Sequence, residues 1–346
     1  MSAQNISDKV PKYGPAIPPV GMLWSALRAD GEAIDLDFLA GISGAAFRTC
    51  FDEEGVDDVL WREGEKIADN ALPILGYELR PILSGFSHGQ KLDGKLRERV
   101  VTEVQVAIDG GNAVLVSGSF GWGMVLGYDK AKQQYWLRQM APWNAVHDMT
   151  HCPPWDAGKE QEERWEQEDK LLDSTAGVDL AVLRKRGKSL PRKGLAVNAL
   201  RHAIAHARKK AVESRHFGLE AIDFFAKRLD READEQKWDP QIYGASLPMQ
   251  VIFLALNRAM AVHFLKEAAE EFDGSRKSTL GECVAIYEES AHEWLTLQAS
   301  LHNPQAYYEN RDSVKTDPAV PQLVSESLKK ILGIERRAVT MLEAVA

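Results

Sequence analysis

Six consecutive residues, His147-Asp-Met-Thr-His-Cys152, gather two imidazoles, a carboxylate and a thiol. A neutral imidazole and a thiolate both ligate zinc or copper, and a thiolate beside a histidine can also act as an acyl-accepting nucleophile. His147, His151 and Cys152 are therefore candidates for a metal half-site, for a nucleophile with its base, or for an ordinary polar loop. Their spacing matches no structural zinc motif. A second pair, His202 and His206, stands four residues apart in Leu200-Arg-His-Ala-Ile-Ala-His-Ala207, the separation that places two imidazoles on one helix face. No glutamate follows the first, so this is not the His-Glu-x-x-His signature. His263 and His292 lie in other helical segments and would complete a metal site only if a bundle brought them together. Cys50, between Arg48 and Phe51, has the apolar setting of a small buried hydrophobe, and Cys283 sits inside a helical pattern.

The elements that must position these groups fall into two sets. Apolar residues at helical spacing predict helices over Val20 to Ala29, Leu36 to Phe47, 64–76 and Leu96 to Ile108, with Gly41 and Gly44 allowing close backbone packing. The period then shortens. Asn112 to Ser117, Trp122 to Tyr128 and Gln134 to Gln139 are short β-rich runs punctuated by Gly118, Gly121 and a turn at Asp129 to Lys132, which predicts an antiparallel meander, and Val178 to Arg184 reads as one more strand. Between them, 142–177 is a loop-rich insertion, and its charged stretch Lys159 to Lys170 has the alternation of a solvated helix face. From Leu195 onward the spacing is helical throughout, over 195–213, 217–235, 247–272, 279–301 and 322–344. The organisation expected is an N-terminal tail (1–17), an α+β domain (18–188) and an α-helical bundle (189–346).

Composition limits the functions such a chain can have. Its 346 residues suffice for two cores, and a formal charge of −9 opposes broad attraction to nucleic acid or anionic membrane. Three separated cysteines make no disulfide framework, and Met1 to Pro19 has no apolar signal-peptide segment, so the expectation is a cytoplasmic protein with neither a nucleic-acid nor a membrane partner. Against that acidic background, Arg184-Lys-Arg-Gly-Lys-Ser-Leu-Pro-Arg-Lys193 concentrates six basic residues, either as a solvated interdomain loop or as an anchor for an acidic or phosphate-bearing partner.

Three motifs, Leu23-Trp-Ser-Ala-Leu-Arg28, Phe38-Leu-Ala-Gly-Ile-Ser-Gly-Ala-Ala-Phe-Arg48 and the strand ending Gly127-Tyr-Asp129, together resemble proteins related to the N-terminal domain of butirosin biosynthesis protein H. The resemblance spans roughly residues 18–185. It implies a papain-like fold of the double-glycine-peptidase type with an antiparallel sheet, a helical C-terminal region, and acyl transfer from an acidic carrier protein, for which Arg184 to Lys193 would be the docking site. Active relatives carry a cysteine at the start of the first helix, a histidine at the start of a later strand, and an Asp or Asn on the next. Here those positions fall on Pro18 or Pro19, on Gly121, and near Arg138 or Gln139. No cysteine or histidine occurs between Met1 and Thr49, so the mechanism of the active relatives lacks its parts.

Three function classes follow. A catalytically degenerate papain-like protein would bind a small molecule, anionic if Arg48 points into the cleft, between walls formed by Trp24, Phe47, Arg48, Trp122 and Tyr128. An acyl or amide transferase or hydrolase would need relocated catalytic residues, drawn from Ser25, Cys50, His147, His151 and Cys152. A scaffold protein would use its helical domain for assembly, with a homo-oligomer as one outcome. No cofactor is indicated by any motif.

Overall fold

The computed structural model describes residues 3–13, 18–52, 64–85, 92–118, 122–140, 161–172, 178–235, 237, 247–301 and 319–346. The chain separates into two compact units, Met1–Leu36 with Ala71–Ser189, and Asp37–Asn70 with Leu190–Ala346. The chain from Leu190 onward belongs wholly to the second unit. Residues 37–70, however, are grouped with the helical C-terminal part, although their periodicity reads as part of the α+β domain. Among the described residues no helix is long and apolar enough to cross a membrane.

The first unit is α+β. Its strands are β1 (Gln4–Asn5), β3 (Tyr77–Leu83), β4 (Val114–Gly118), β5 (Gly123–Asp129), β6 (Gln134–Met140), β7 (Gln161–Gln167) and β8 (Val178–Lys185). They form one antiparallel sheet in the order β3-β8-β4-β5-β6-β7, with β1 added along β5. Helices α1 (Pro18–Ala29) and α4 (Gly94–Asp109) pack on it. Asp93 caps α4, its carboxylate accepting from the Leu96 N–H at 2.8 Å, as a short acceptor side chain before a helix does.

Residues 4–13 are seated on the sheet and are not a tail. Arg138 on β6 is 2% exposed, and its guanidinium donates to the carbonyls of Ser7, Val10 and Pro11 while pairing with Glu163 at 2.7 Å. Gly127 makes the approach of β1 sterically feasible, since a Cβ there would stand 2.5 Å from the Gln4 carbonyl oxygen. Tyr13, 2% exposed, lies where a side chain at Gly21 would collide with its ring.

Two expectations for this unit change. The charged stretch Lys159 to Lys170 is not one helix face: residues 161–167 are strand β7, paired with β6 from Gln134↔Gln167 to Met140↔Gln161, and only Glu168–Leu172 (α5) is helical. Its acidic side chains alternate as a strand requires. Glu163 faces Arg138, while Glu166, buried on the other side, is held ionised by Lys170 and Arg164 against the opposing effect of its burial. Strand β3 was not anticipated, because Pro81 interrupts its apolar pattern; the register shift beside Pro81 accommodates it.

The second unit is helical. The run 36–47 is not continuous: α2 (Leu36–Ile42) ends before Gly44, whose φ of +79° is left-handed, and a 3-10 turn follows at Ala45–Phe47. Gly41 serves close packing, since a Cβ there would lie 2.1 Å from the Phe264 ring. Helix α3 (Gly64–Leu75) supplies its residues up to Asn70 to this unit. Short strands β2 (Cys50–Asp52) and β9 (Arg215–Phe217) pair antiparallel. The helices α6 (Arg192–Arg208), α7 (Gly218–Glu235), α8 (Leu247–Ala269), α9 (Gly274–Ser300) and α10 (Ala319–Val345) match the five expected segments. Helix α8 packs on α9, α9 on α10 and α10 on α7, around a core that includes Phe225, Leu254, Trp294, Leu328 and Ile331.

At the centre of this unit lies an ion pair out of contact with solvent. Arg258 on α8 is 1% exposed and Glu335 on α10 is 5% exposed. Glu335 Oε1 accepts from Arg258 Nε (2.7 Å), Ser290 Oγ (3.0 Å) and Trp294 Nε1 (3.2 Å), and Oε2 accepts from Arg258 Nη2 (2.9 Å). Arg258 Nη1 donates to the carbonyls of Ala46 (3.2 Å) and Arg48 (3.1 Å), and Nη2 also reaches Thr49 Oγ1. Removing one charge strands the other in an apolar core. Glu335→Gln should therefore lower unfolding free energy by about 3–5 kcal/mol, measured by denaturant titration followed through tryptophan fluorescence. A loss below about 1 kcal/mol would mean that the pair behaves as a solvated one.

Candidate functional site

On the helical unit, Gly44, Arg48, Asn70, His202, Ala205, His206 and Lys209 line a cavity of about 190 Å³ that opens to solvent. Three stretches of chain build it. Helix α6 and the residue that caps its C-terminus present positions 202, 205, 206 and 209, the i, i+3, i+4, i+7 set of one helix face. The left-handed turn at Gly44 and the residues after the 3-10 helix bring in Gly44 and Arg48, and α3 contributes Asn70.

Hydrogen bonds fix several of these side chains. Asn70 Nδ2 donates to the Ser43 carbonyl at 3.1 Å, which orients the amide. His206 Nε2 lies 3.0 Å from both the backbone nitrogen and the carbonyl oxygen of Thr49. The Thr49 carbonyl already accepts from the Gly218 N–H at 2.9 Å, whereas the Thr49 N–H needs an acceptor. An Nε2 that accepts the Thr49 N–H carries no proton itself, which puts the ring proton on Nδ1. Lys209 Nζ stands 3.5 Å from the centroid of the Phe217 ring, a cation–π contact that holds the ammonium by the last turn of α6, where the helix dipole favours positive charge.

Arg48 is 6% exposed and has interactions of its own. Its carbonyl is one of those that receive Arg258 Nη1, so the backbone presenting Arg48 is tied to the buried ion pair. Among the described residues the lining contains an arginine, a lysine, two histidines and an amide, and no carboxylate. Such a wall is polar and carries two fixed positive charges.

The side chains expected to wall a single cleft are divided between the two units. Phe47 and Arg48 belong to the helical unit; Trp24, Trp122 and Tyr128 belong to the sheet unit. Phe47 is a core residue, with ring centroids 5.7 Å from Phe264 and 5.4 Å from Tyr287. Trp24 is half-buried, its Nε1 donating to the Ile34 carbonyl at 2.8 Å. Tyr128 donates to Asp109 at 2.8 Å, and burial together with that carboxylate raises its pKa. Trp122 is half-buried and has a partner.

The candidate nucleophiles fare differently. Ser25 is fully buried, with no hydrogen-bond partner for its hydroxyl among the described residues. Cys50 is 1% exposed on β2, opposite Phe217. His147, His151 and Cys152 lie outside the described residues, as does Gly121. Pro18 and Pro19, where the resemblance would place a nucleophile, open α1 and are buried, and Arg138 is committed to the N-terminal segment.

His202 and His206 do face one space, but among the described residues no three His, Cys, Asp or Glu side chains come together to hold a metal ion. His263 and His292 are exposed and do not line the cavity. Within the basic run, Lys185 pairs with Glu32 at 2.7 Å, Arg186 with Glu78 at 2.7 Å and Arg192 with Glu267 and Glu271, while Lys193 lies over the Phe272 ring. Internal partners thus take up much of the charge that a docking acidic protein would use.

Asn70 and Lys209 were missed from the sequence. Lys209 follows His202 and His206 at the next position of the same helix face, a signal open to inspection; Asn70 gives none, because its place depends on a long-range contact with Ser43. No family model matches the sequence, and no curated protein matches it.

Burial makes a prediction about the thiols. Burial, with Glu282 nearby, pushes the Cys283 thiol up to about 11, and both Cys50 and Cys283 are inaccessible. Native protein treated with a thiol reagent at neutral pH should leave these two unlabelled until it is unfolded, as peptide mass mapping would show. Rapid native labelling of Cys50 would return it to the list of nucleophiles.

Proposed function

We propose that this protein binds a small anionic molecule without chemically transforming it, and that the cavity on the helical unit is the binding site. The observation that carries this reading is a lining with Arg48 and Lys209 as fixed cations, His202, His206 and Asn70 as further polar groups, and no carboxylate among its described residues. Water occupies about 30 Å³ per molecule in the liquid, so a cavity of about 190 Å³ has room for a small organic or inorganic anion. Binding without turnover is supported by the buried prolines at the family's nucleophile positions and by the burial of Ser25 and Cys50. A nucleophile must reach substrate with a base beside it, and neither residue meets that requirement. The resemblance to degenerate papain-like proteins is compatible with a helix packed on an antiparallel sheet, and we carry the papain-like identity of the sheet unit as part of the proposal. The cavity belongs to the helical unit, whereas α1 belongs to the sheet unit.

Ala205 provides a test that spares the core. It lines the cavity yet is exposed on α6, so Ala205→Glu adds a carboxylate facing the ligand at little cost to packing. Small anions at millimolar concentration should raise the melting temperature of the native chain, and Ala205→Glu should weaken their binding at least tenfold, about 1.4 kcal/mol, while its own melting temperature stays within a few degrees. Arg48→Met should also abolish binding, but with a loss of stability, because the side chain is buried. If no small anion shifts the melting temperature, or if Ala205→Glu binds as well as the native chain, the cavity is not an anion site.

A further inference from the structure

The seat of the N-terminal segment on the sheet unit has the build of a peptide-recognition groove, a reading independent of the cavity. Strand β6 runs along one edge of β5 from Gly123 to Asp129. On the other edge β4 pairs only from Gly123 to Val125. There β1 continues the lane, with Asn5 opposite Gly127, Gln4 opposite Tyr128, and the Ile6 N–H donating to the Leu126 carbonyl at 2.8 Å. Residues 4–6 therefore fill a length of strand edge that the other described strands leave open. Addition of a segment to an open edge is a general mode of peptide binding, in which main-chain bonds supply affinity and side-chain pockets supply selectivity.

Selectivity has three sources here. After Ile6 the chain enters a single 3-10 turn, Ser7–Lys9, steadied by Asn5, whose Oδ1 accepts from the Ser7 N–H at 2.8 Å. The turn ends against Arg138, whose Nη1 donates to the carbonyls of Val10 (2.7 Å) and Pro11 (3.1 Å) and whose Nη2 donates to that of Ser7 (3.1 Å). Ile6 and Val10, 6% and 2% exposed, are the apolar anchors, while Gln4, Asn5, Asp8 and Lys9 are exposed. None of these contacts uses the covalent link from Tyr13 to α1.

We infer that this seat is a strand-addition peptide site, occupied in cis by residues 4–11, and that it takes the same sequence from a separate chain. The partner it fits is a short strand followed by an Asn-steadied turn, with apolar side chains at the positions of Ile6 and Val10. Gly127 admits the backbone of the strand. Arg138 reads three carbonyls of the turn, so the main chain is recognised as well as the anchors.

The test uses the full chain with a site-specific protease sequence inserted between Gly14 and Pro15 and cut after folding. The cut chain should remain folded, and a fluorescein-labelled peptide of residues 3–13 should exchange into the seat, as fluorescence anisotropy would show. The same peptide carrying Ile6→Asp and Val10→Asp should bind at least about tenfold more weakly. The unaltered peptide should likewise bind the uncut chain at least about tenfold more weakly, because the tethered segment competes at roughly millimolar effective concentration. Unfolding on cleavage would show that the segment is inseparable from the core, and overturns the inference. So does failure of the labelled peptide to bind the cut chain, equal binding by the aspartate peptide, or equal binding by the uncut chain, which would place the peptide elsewhere on the surface.

Discussion

Arg258 and Glu335 cannot be buried separately. Transfer of either charge alone into a core built from Trp294, Leu254 and Ile331 would cost several kcal/mol, so α8 and α10 must meet in the register that joins them. Ser290 and Trp294 on α9 complete the carboxylate's hydrogen bonds, which ties a third helix to the same point. The guanidinium's remaining donors extend the constraint to the carbonyls of Ala46 and Arg48. One ion pair thereby sets the mutual placement of three helices and of the segment that leads into β2.

The cavity inherits its geometry from that constraint. Thr49, held through its hydroxyl by Arg258, gives its N–H to His206, so the wall formed by α6 and the wall formed by residues 44–48 share a connection to the ion pair. Gly44 completes the arrangement, since its left-handed backbone turns the chain from α2 toward Arg48 and leaves the cavity side without a side chain. A cavity assembled in this way has its walls fixed by the fold itself, and for any ligand it would take, that limits the ordering binding must impose.

The sheet unit relies on an analogous arrangement with a different purpose. Arg138 is buried against Glu163 and spends its other donors on three carbonyls of residues 7–11, so a segment too short to fold alone becomes part of the sheet. Gly127 permits the close approach that this seating requires. The glycine of Gly127-Tyr-Asp129, within β5, thus has a steric reason of its own.

Much of the architecture is legible in the amino-acid order, because helical and strand periods are local. The five C-terminal helices, the meander and the strand at 178–185 follow from apolar spacing alone, and the pairing of His202 with His206 follows from their separation on one helix. Where a local pattern fits two structures, sequence reading goes astray. The charges of 161–167 alternate in a way that suits a solvated helix face or an edge strand, and only pairing with β6 selects the strand. The grouping of 37–70 with the helical unit, the meeting of Arg258 with Glu335 across 77 residues, and the arrival of Asn70 and Arg48 beside α6 leave no periodic trace. They are long-range contacts, fixed by the requirement that buried charges be paired and backbone donors satisfied, and that requirement acts only once the chain is packed.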